Sequence, residues 1–333
     1  MDAVAPALPP QWQGGPHAAA HPAPRGERTV TQRHFLAGFW RLADPKISLA
    51  SFAGLFMAAC CAARDSGLAP GWLALTVFGV FCVEVAKNAS GEVVDFASGT
   101  DQAVQPGDRS PFSGGKRVLV DGLLTAAQCR AIAGGFFLAA IVSGLVIVAC
   151  RDSRVLWLGI AGLALAWSYH GAPLRLAYRG WGELAVGIAY GPLVVCGAYL
   201  VQAGWPHTAL LQASLALGLL VAAFLWINQF PDYRADRGAG KNNLVVRLGR
   251  ERASTVFALI VAAGYLLLLS TGLGQEAARG MLWGLLGIVP ASFAVLRLRR
   301  AARDTPRVVP AQAATLLSFL LMAAGSGLGY LLT

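Results

Sequence analysis

Charged residues are scarce in this chain. Only 13% of its 333 residues are Asp, Glu, Lys or Arg, about half the share usual in soluble domains. That excludes a water-soluble globule and a charge-rich disordered chain. Acids are scarcer than bases, 17 against 27. The six cysteines form no CxxC pair and no Cys/His cluster, so neither a disulfide framework nor a zinc module is encoded. Cys60, Cys61, Cys82, Cys150 and Cys196 lie in apolar segments and Cys129 just before one; they read as small core residues. No apolar h-region follows the N-terminus, so no secretory signal peptide is read there. Residues 1–30 instead carry Pro6, Pro9, Pro10, Pro16, Pro22 and Pro24 among Ala, Gly and His, the composition of a disordered tail, and 31–333 reads as one membrane domain. No internal repeat is visible.

What the chain has in quantity is apolar length. Apolar residues make up 56% and the mean hydropathy is +0.56. Runs of about 20 apolar residues, each long enough to cross a bilayer as a helix, recur near 47–63, 71–89, 131–150, 155–169, 183–202, 208–229, 254–273, 281–298 and 312–332. The expected fold is an all-α polytopic membrane protein of about nine transmembrane helices, with the lipid bilayer as its first partner. Before the first run, Phe35, Phe39 and Leu42 recur at i, i+4 and i+7, with Trp40 beside them and Arg33, His34 and Arg41 among them. This predicts a short helix on the membrane surface that stops before Pro45.

The net charge of +10 implies no nucleic-acid partner, because cytoplasmic loops of membrane proteins accumulate Lys and Arg. With the N-terminus inside, only Arg64, Arg151, Arg154 and Arg279 fall on the far side, leaving 23 of the 27 basic residues in the tail and the cytoplasmic loops. This predicts a multi-pass protein of the cytoplasmic membrane with its N-terminus inside.

The acids gather at two places. Glu84, Asn88, Glu92 and Asp95 are spaced 4, 4 and 3, with Asp101 following; the first four share one helical face. Asn228, Asp232 and Asp236 are spaced 4 and 4 at the end of the sixth run, with Pro231 among them and Lys241, Arg247 and Arg250 after them. Both groups fall on the cytoplasmic side. Like charges on one face repel, and a divalent cation turns that repulsion into coordination. Mg²⁺ prefers oxygen ligands and is commonly held by a carboxylate or two together with substrate phosphates. Two such helix ends with Lys and Arg nearby describe a site for Mg²⁺ and a diphosphate.

Over roughly residues 35–333 the sequence resembles the UbiA superfamily of intramembrane prenyltransferases. The residues that carry the resemblance are Asn228-Gln-Phe-Pro-Asp232-Tyr-Arg-Ala-Asp236-Arg-Gly-Ala-Gly-Lys241, running on to Val-Arg247-Leu-Gly. Asp95-Phe-Ala-Ser-Gly-Thr-Asp101, Arg109-Ser-Pro-Phe-Ser-Gly-Gly-Lys116-Arg117 and Tyr169-His-Gly-Ala-Pro-Leu-Arg175 are similar to the menaquinone-pathway branch. That branch adds a polyprenyl chain to 1,4-dihydroxy-2-naphthoate. The resemblance implies an Mg²⁺-dependent transferase acting on an isoprenoid diphosphate and an aromatic acceptor. Asp95, Asp101, Asp232 and Asp236 are then the catalytic metal ligands, with Glu92 a further ligand and Asn88 and Asn228 supporting them. Lys241 holds the diphosphate, with Arg175 and Arg247 as further candidates. Lys116 and Arg117 either grip phosphate or follow the positive-inside rule. Tyr169, with His170, either orients the acceptor or anchors the interface.

One departure stands out. Many family members carry Asn-Asp where this chain has Gly91-Glu92, and Asn88, one turn earlier, is the candidate to supply the missing amide. The alternatives are a membrane terpene cyclase, which uses the same diphosphate chemistry without an external acceptor, and an ion-coupled transporter. The transporter calls for inverted repeats and acids near the bilayer midplane, neither of which this sequence displays.

Overall fold

The computed structural model describes residues 32–333; the tail expected over 1–30 lies outside the described residues. All regular structure among the described residues is helical, in the order α1 (Gln32–Ala43), α2 (Pro45–Asp65), α3 (Pro70–Ala97), α4 (Thr100–Ala103), α5 (Ala126–Cys150), α6 (Val155–His170), α7 (Gly182–Ile188), α8 (Val194–Ala203), α9 (Thr208–Gly238), α10 (Leu244–Leu248), α11 (Arg250–Gly274), α12 (Ile288–Ala301) and α13 (Thr305–Leu332). A wide helical turn, Ala189–Leu193, joins α7 to α8, and a tight helical stretch, Glu276–Gly287, leads into α12.

Every apolar run read from the sequence coincides with helix. Among the described residues seven helices are long and apolar enough to cross a membrane: α3, α5, α7 with α8, α9, α11, Glu276–Ala301 and α13. The first run qualifies only together with the helix before it, from which it bends by 53°. The fourth, α6, has 16 residues, short of the roughly 20 that span the hydrocarbon. Length and composition therefore support seven crossings, or eight with the bent pair, against the nine expected.

Local chemistry sets the helix ends. Pro45, Pro70 and Pro306 stand in the first turns of α2, α3 and α13, where a missing N–H costs nothing. Thr125 and Gln128 form a reciprocal capping box at the start of α5. Asn243 and Asp304 cap α10 and α13. The surface helix predicted over 31–44 forms, but its apolar face packs on protein. Leu42 is fully buried with Ala89, Val118, Leu124, Cys129 and Ala133, and Phe39 meets Phe136 at 5.7 Å between ring centroids.

The centre of the molecule is α9. Trp226, Ile227 and Phe230 are sealed in a core with Met57 of α2, Phe257 of α11 and Phe319 of α13. Pro231 does not interrupt the helix. Around it α9 and α11 exchange hydrogen bonds: Arg250 of α11 donates to the Phe230 carbonyl at 2.8 Å, and the Trp226 indole of α9 donates to Ala253 O at 3.0 Å. Gly218 lies so close to Gly187 that a methyl on either would press on the other's backbone, and this brings α7 against α9.

The two ends of the bundle differ in chemistry. At one end Arg64 donates to Tyr330 O and Ala277 O, and Arg151 to Val201 O and Gln202 O. Asp65 accepts from Tyr199 and Tyr330 there, at 2.6 and 2.9 Å. Both acidic motifs lie at the other end.

Candidate active site

The first acidic motif occupies the last turns of α3 and the short α4. Tyr178, on the loop after α6, donates to Asp95 Oδ1 at 2.6 Å. Lys241 Nζ lies 3.6 Å from Asp95 Oδ2 and 3.9 Å from Asp236 Oδ1. One ammonium thus joins the two motifs. Burial works against its charge, but Asp95 and Asp236 hold Lys241 well above the usual lysine range. Asp236 also accepts from Asn243 at 2.7 Å, while Asn243 caps α10. Asp232, one turn earlier on α9, has a buried carboxylate oxygen, Oδ1, with no hydrogen-bond partner.

Asp101 is 3% exposed, and its Oδ2 likewise has no partner. Burial, then the neighbouring Asp95 and Glu92 carboxylates, push its pKa up to about 7. Gly115, in the left-handed region at φ 74°, packs against this carboxylate so closely that any Cβ would fall on it. Glu92 is buried and accepts from the Leu119 backbone N–H at 3.0 Å, which ties it to the loop after α4. Asn88 donates a long hydrogen bond, 3.4 Å, to the Ala43 carbonyl. Asn228 accepts from Gln312 of α13 at 3.1 Å.

These residues surround a polar cavity of about 480 Å³ whose lining includes Asn88, Glu92, Asp95, Asp101, Asn228, Asp232, Asp236, Lys116, Tyr169 and Lys241. Three basic candidates do not reach it. Arg117 is buried beside it with φ 55°, its guanidinium donating to Asp101 O at 2.5 Å; it pins the loop. Arg175 is exposed and stands over the Tyr178 ring, 5.0 Å from its centroid. Arg247 spends its donors on the carbonyls of Asn242 and Arg179, at 2.9 and 2.7 Å. Backbone carbonyls claim the guanidinium groups of Arg117 and Arg247, which with Arg175 turned to Tyr178 leaves Lys241 and Lys116 as the basic candidates on the cavity wall.

No three carboxylate, His or Cys side chains among the described residues are close enough to hold a metal ion unaided. The donor set nevertheless fits a hard cation. It is all oxygen, and two of its oxygens, Asp101 Oδ2 and Asp232 Oδ1, are buried with no other partner. Mg²⁺ typically completes its shell with water and substrate phosphate.

A second cavity, about 470 Å³, adjoins the first between α3, α5, α6, α7 and α8. Its walls are apolar: Val80, Val83, Leu163 and Val194 line it, together with glycines at 79, 144, 159, 162 and 197. Nothing lies within 4 Å of where a Cβ would stand at 144, 159 or 162. Ile141, Leu145, Leu156 and Ile160 line it and are exposed, so the chamber is open and not sealed.

Residues 51–320 match the model of the UbiA prenyltransferase family. The chain belongs to that family. It is 34% identical over 201 residues to a 2-carboxy-1,4-naphthoquinone phytyltransferase from Synechocystis, a match covering 58% of this chain and 64% of that one, under two thirds of the relative's length. It is 28% identical over 266 residues to a 1,4-dihydroxy-2-naphthoate octaprenyltransferase from Mycobacterium tuberculosis, covering 77% and 85%. A UbiA homolog from Archaeoglobus fulgidus, solved bound to GPP and Mg²⁺, shares the fold with a TM-score of 0.65 at 15% identity, over 86% of this chain and 98% of that one.

Within this UbiA fold the Gly91 departure has a physical partner. A Cβ at position 91 would stand 2.5 Å from Cε1 and 2.6 Å from Nδ1 of His170. The imidazole occupies the space a longer residue would need, buried edge-on against Tyr169, with Nε2 3.7 Å from Asp95 Oδ2. His170, more than Asn88, takes up the volume freed at Gly91. Gly91→Asn is accordingly expected to lose about 1–3 kcal/mol of stability, with at least a tenfold fall in turnover as Asp95 is displaced. Adding His170→Ala should recover part of the stability in a thermal-unfolding assay in detergent. No recovery in the double variant would separate the two positions.

Sequence reasoning passed over Lys87, Asp44 and Gln312. Lys87 was the detectable one: a lone lysine inside an apolar run is costly enough to ask for a reason.

Proposed function

We propose that this UbiA-family chain transfers a prenyl group from an isoprenoid diphosphate to an aromatic acceptor, with 1,4-dihydroxy-2-naphthoate in quinone biosynthesis as the favoured acceptor and Mg²⁺ as cofactor. The observation that carries the reading is the junction of the two aspartate motifs through Lys241 at a polar cavity that adjoins an apolar chamber. The names of the curated relatives support the acceptor class.

In this reading the diphosphate lies among Asp95, Asp101, Asp232 and Asp236 with Lys241, and the isoprenoid tail fills the chamber. Asp101 and Asp232, each with a buried oxygen that has no partner, would hold the Mg²⁺ together with Asp95, Asp236 and Glu92. Bound there, Mg²⁺ supplies positive charge against the charge growing on the leaving group. Lys241 adds its own. The allylic C–O bond breaks and pyrophosphate departs. An electron-rich ring carbon of the acceptor forms the new C–C bond. That carbon then sheds a proton or, where it carries the carboxyl group, carbon dioxide. The apolar walls keep water from the cation.

The test is an assay of purified protein in detergent with prenyl diphosphates of several lengths, Mg²⁺, and either 1,4-dihydroxy-2-naphthoate or 4-hydroxybenzoate, with products read by mass spectrometry. A cyclic hydrocarbon formed with no acceptor present would replace the transferase reading with the cyclase.

In this reading the acidic end faces the cytoplasm, which the charge asymmetry of the loops supports. Asp101 and Asp236 are too buried to label, so single cysteines at exposed Gln105 and Arg237 report on that end, and at Trp205 and Glu276 on the other. In a background without exposed Cys150, an impermeant thiol reagent outside intact cells should react at 205 and 276 only. Reaction at 105 or 237 would invert the topology.

A further inference from the structure

Lys87, Tyr169, Val186 and Tyr190 line both cavities. Tyr190 is brought there by the wide turn at Ala189–Leu193, a local widening that recurs at functional sites. The cations of the polar cavity otherwise have partners. Arg41 meets Asp121 at 2.8 Å, Lys46 donates to Pro111 O at 2.7 Å, and Lys116 meets Asp44 at 3.1 Å. Lys241 lies between Asp95 and Asp236. Among the described residues the Lys87 ammonium has no carboxylate within 4 Å and donates no hydrogen bond; it stands over the Tyr169 ring, 5.4 Å from the centroid. Glu84, one turn earlier, lines the apolar chamber and not the polar cavity, and neither of its oxygens has a hydrogen-bond partner.

An unpaired ammonium at membrane depth is costly and calls for an anion. On the reading above, the diphosphate sits among the acids and the tail in the chamber, so the reacting carbon falls at the junction. A bare ammonium there opposes the positive charge that grows on that carbon, and does so strongly where water is excluded. An anion bound to Lys87 removes the opposition. We propose that Lys87 is the binding site for the carboxylate of an aromatic acid acceptor, whose ring lies against Tyr169 and Tyr190, and that filling this site is what permits the donor to ionise. The proposal rests on the prenyl-transfer reading. It adds to it a residue for acceptor choice and an order of events: acceptor first, bond cleavage second.

The experiment compares two acceptors with the same ring, 1,4-dihydroxy-2-naphthoate and 1,4-naphthalenediol, in the wild type and in Lys87→Met, Lys87→Gln and Lys87→Arg. Binding of geranyl diphosphate with Mg²⁺ serves as the folding control. The wild type should favour the carboxylated acceptor in kcat/KM. Lys87→Met and Lys87→Gln should reduce that preference by about 10- to 100-fold, chiefly through KM, and Lys87→Arg should keep part of it. Pyrophosphate release without acceptor should rise in Lys87→Met relative to wild type. An unchanged preference in variants that still bind the donor overturns the proposal while prenyl transfer stands. Transfer by the wild type to neither of these acceptors nor to 4-hydroxybenzoate overturns the prenyl-transfer reading itself.

Discussion

Asp232→Ala and Asp236→Ala are each expected to lower prenyl transfer by about 10²–10³-fold, the cost of losing one charge-stabilising contact in a water-poor site. The two variants should part company in stability. Asp232 has an oxygen buried without a partner, so removing its carboxylate takes away an unsatisfied group, and the folded protein should be at least as stable. Asp236 accepts from Asn243, whose other atom caps α10. Its removal leaves a buried amide donor unpaired and should cost about 1–3 kcal/mol. Turnover by mass spectrometry and thermal unfolding in the same detergent measure both. Loss of activity with undiminished stability in Asp232→Ala would mark a residue kept for chemistry. Near-normal turnover in both variants would reduce the second motif to a packed helix end.

Metal chelation should have the larger effect still. Asp44, Glu92, Asp95, Asp101, Asp232 and Asp236 line the polar cavity against Arg41, Lys46, Lys87, Lys116 and Lys241. Most of those cations are already paired with protein groups. A diphosphate entering such a site brings several further negative charges into a medium that screens poorly. With EDTA, turnover should fall below about one thousandth of its starting rate, and binding of geranyl diphosphate should weaken together with it. Excess Mg²⁺ should restore both. Full turnover in EDTA would strip both motifs of the assigned role.

The helices were legible because each apolar run is long enough to declare itself. The two motifs were legible because acids at a spacing of four share a face, although the link between them through Lys241 was not. Spacing along α3 and α9 says nothing of how close the two motifs lie; the path of the loop after α9 decides that, by carrying Lys241 between Asp95 and Asp236. Arg175 and Arg247 do not reach the cavity because their direction depends on loop paths: Arg175 stands over the Tyr178 ring and loop carbonyls capture Arg247. His170 could not be tied to Gly91 from sequence, since 79 residues separate two positions that share one volume. The short α6 explains why the crossing count stayed open: as a helix it is plain, but its length does not commit it to a span.

The glycines at 144, 159 and 162 give the apolar chamber a property its polar neighbour lacks. Each faces open space, so a side chain introduced there subtracts depth from the chamber without touching the aspartates or Lys241. At Gly115 or Gly91 the same methyl would strike Asp101 or the His170 ring. On the proposed reading, in which the isoprenoid tail fills this chamber, selection could trim the length accommodated in single-residue steps at constant chemistry. The carboxylate cradle offers no such gradation, and descendants of this sequence should diverge in donor size well before they diverge in reaction.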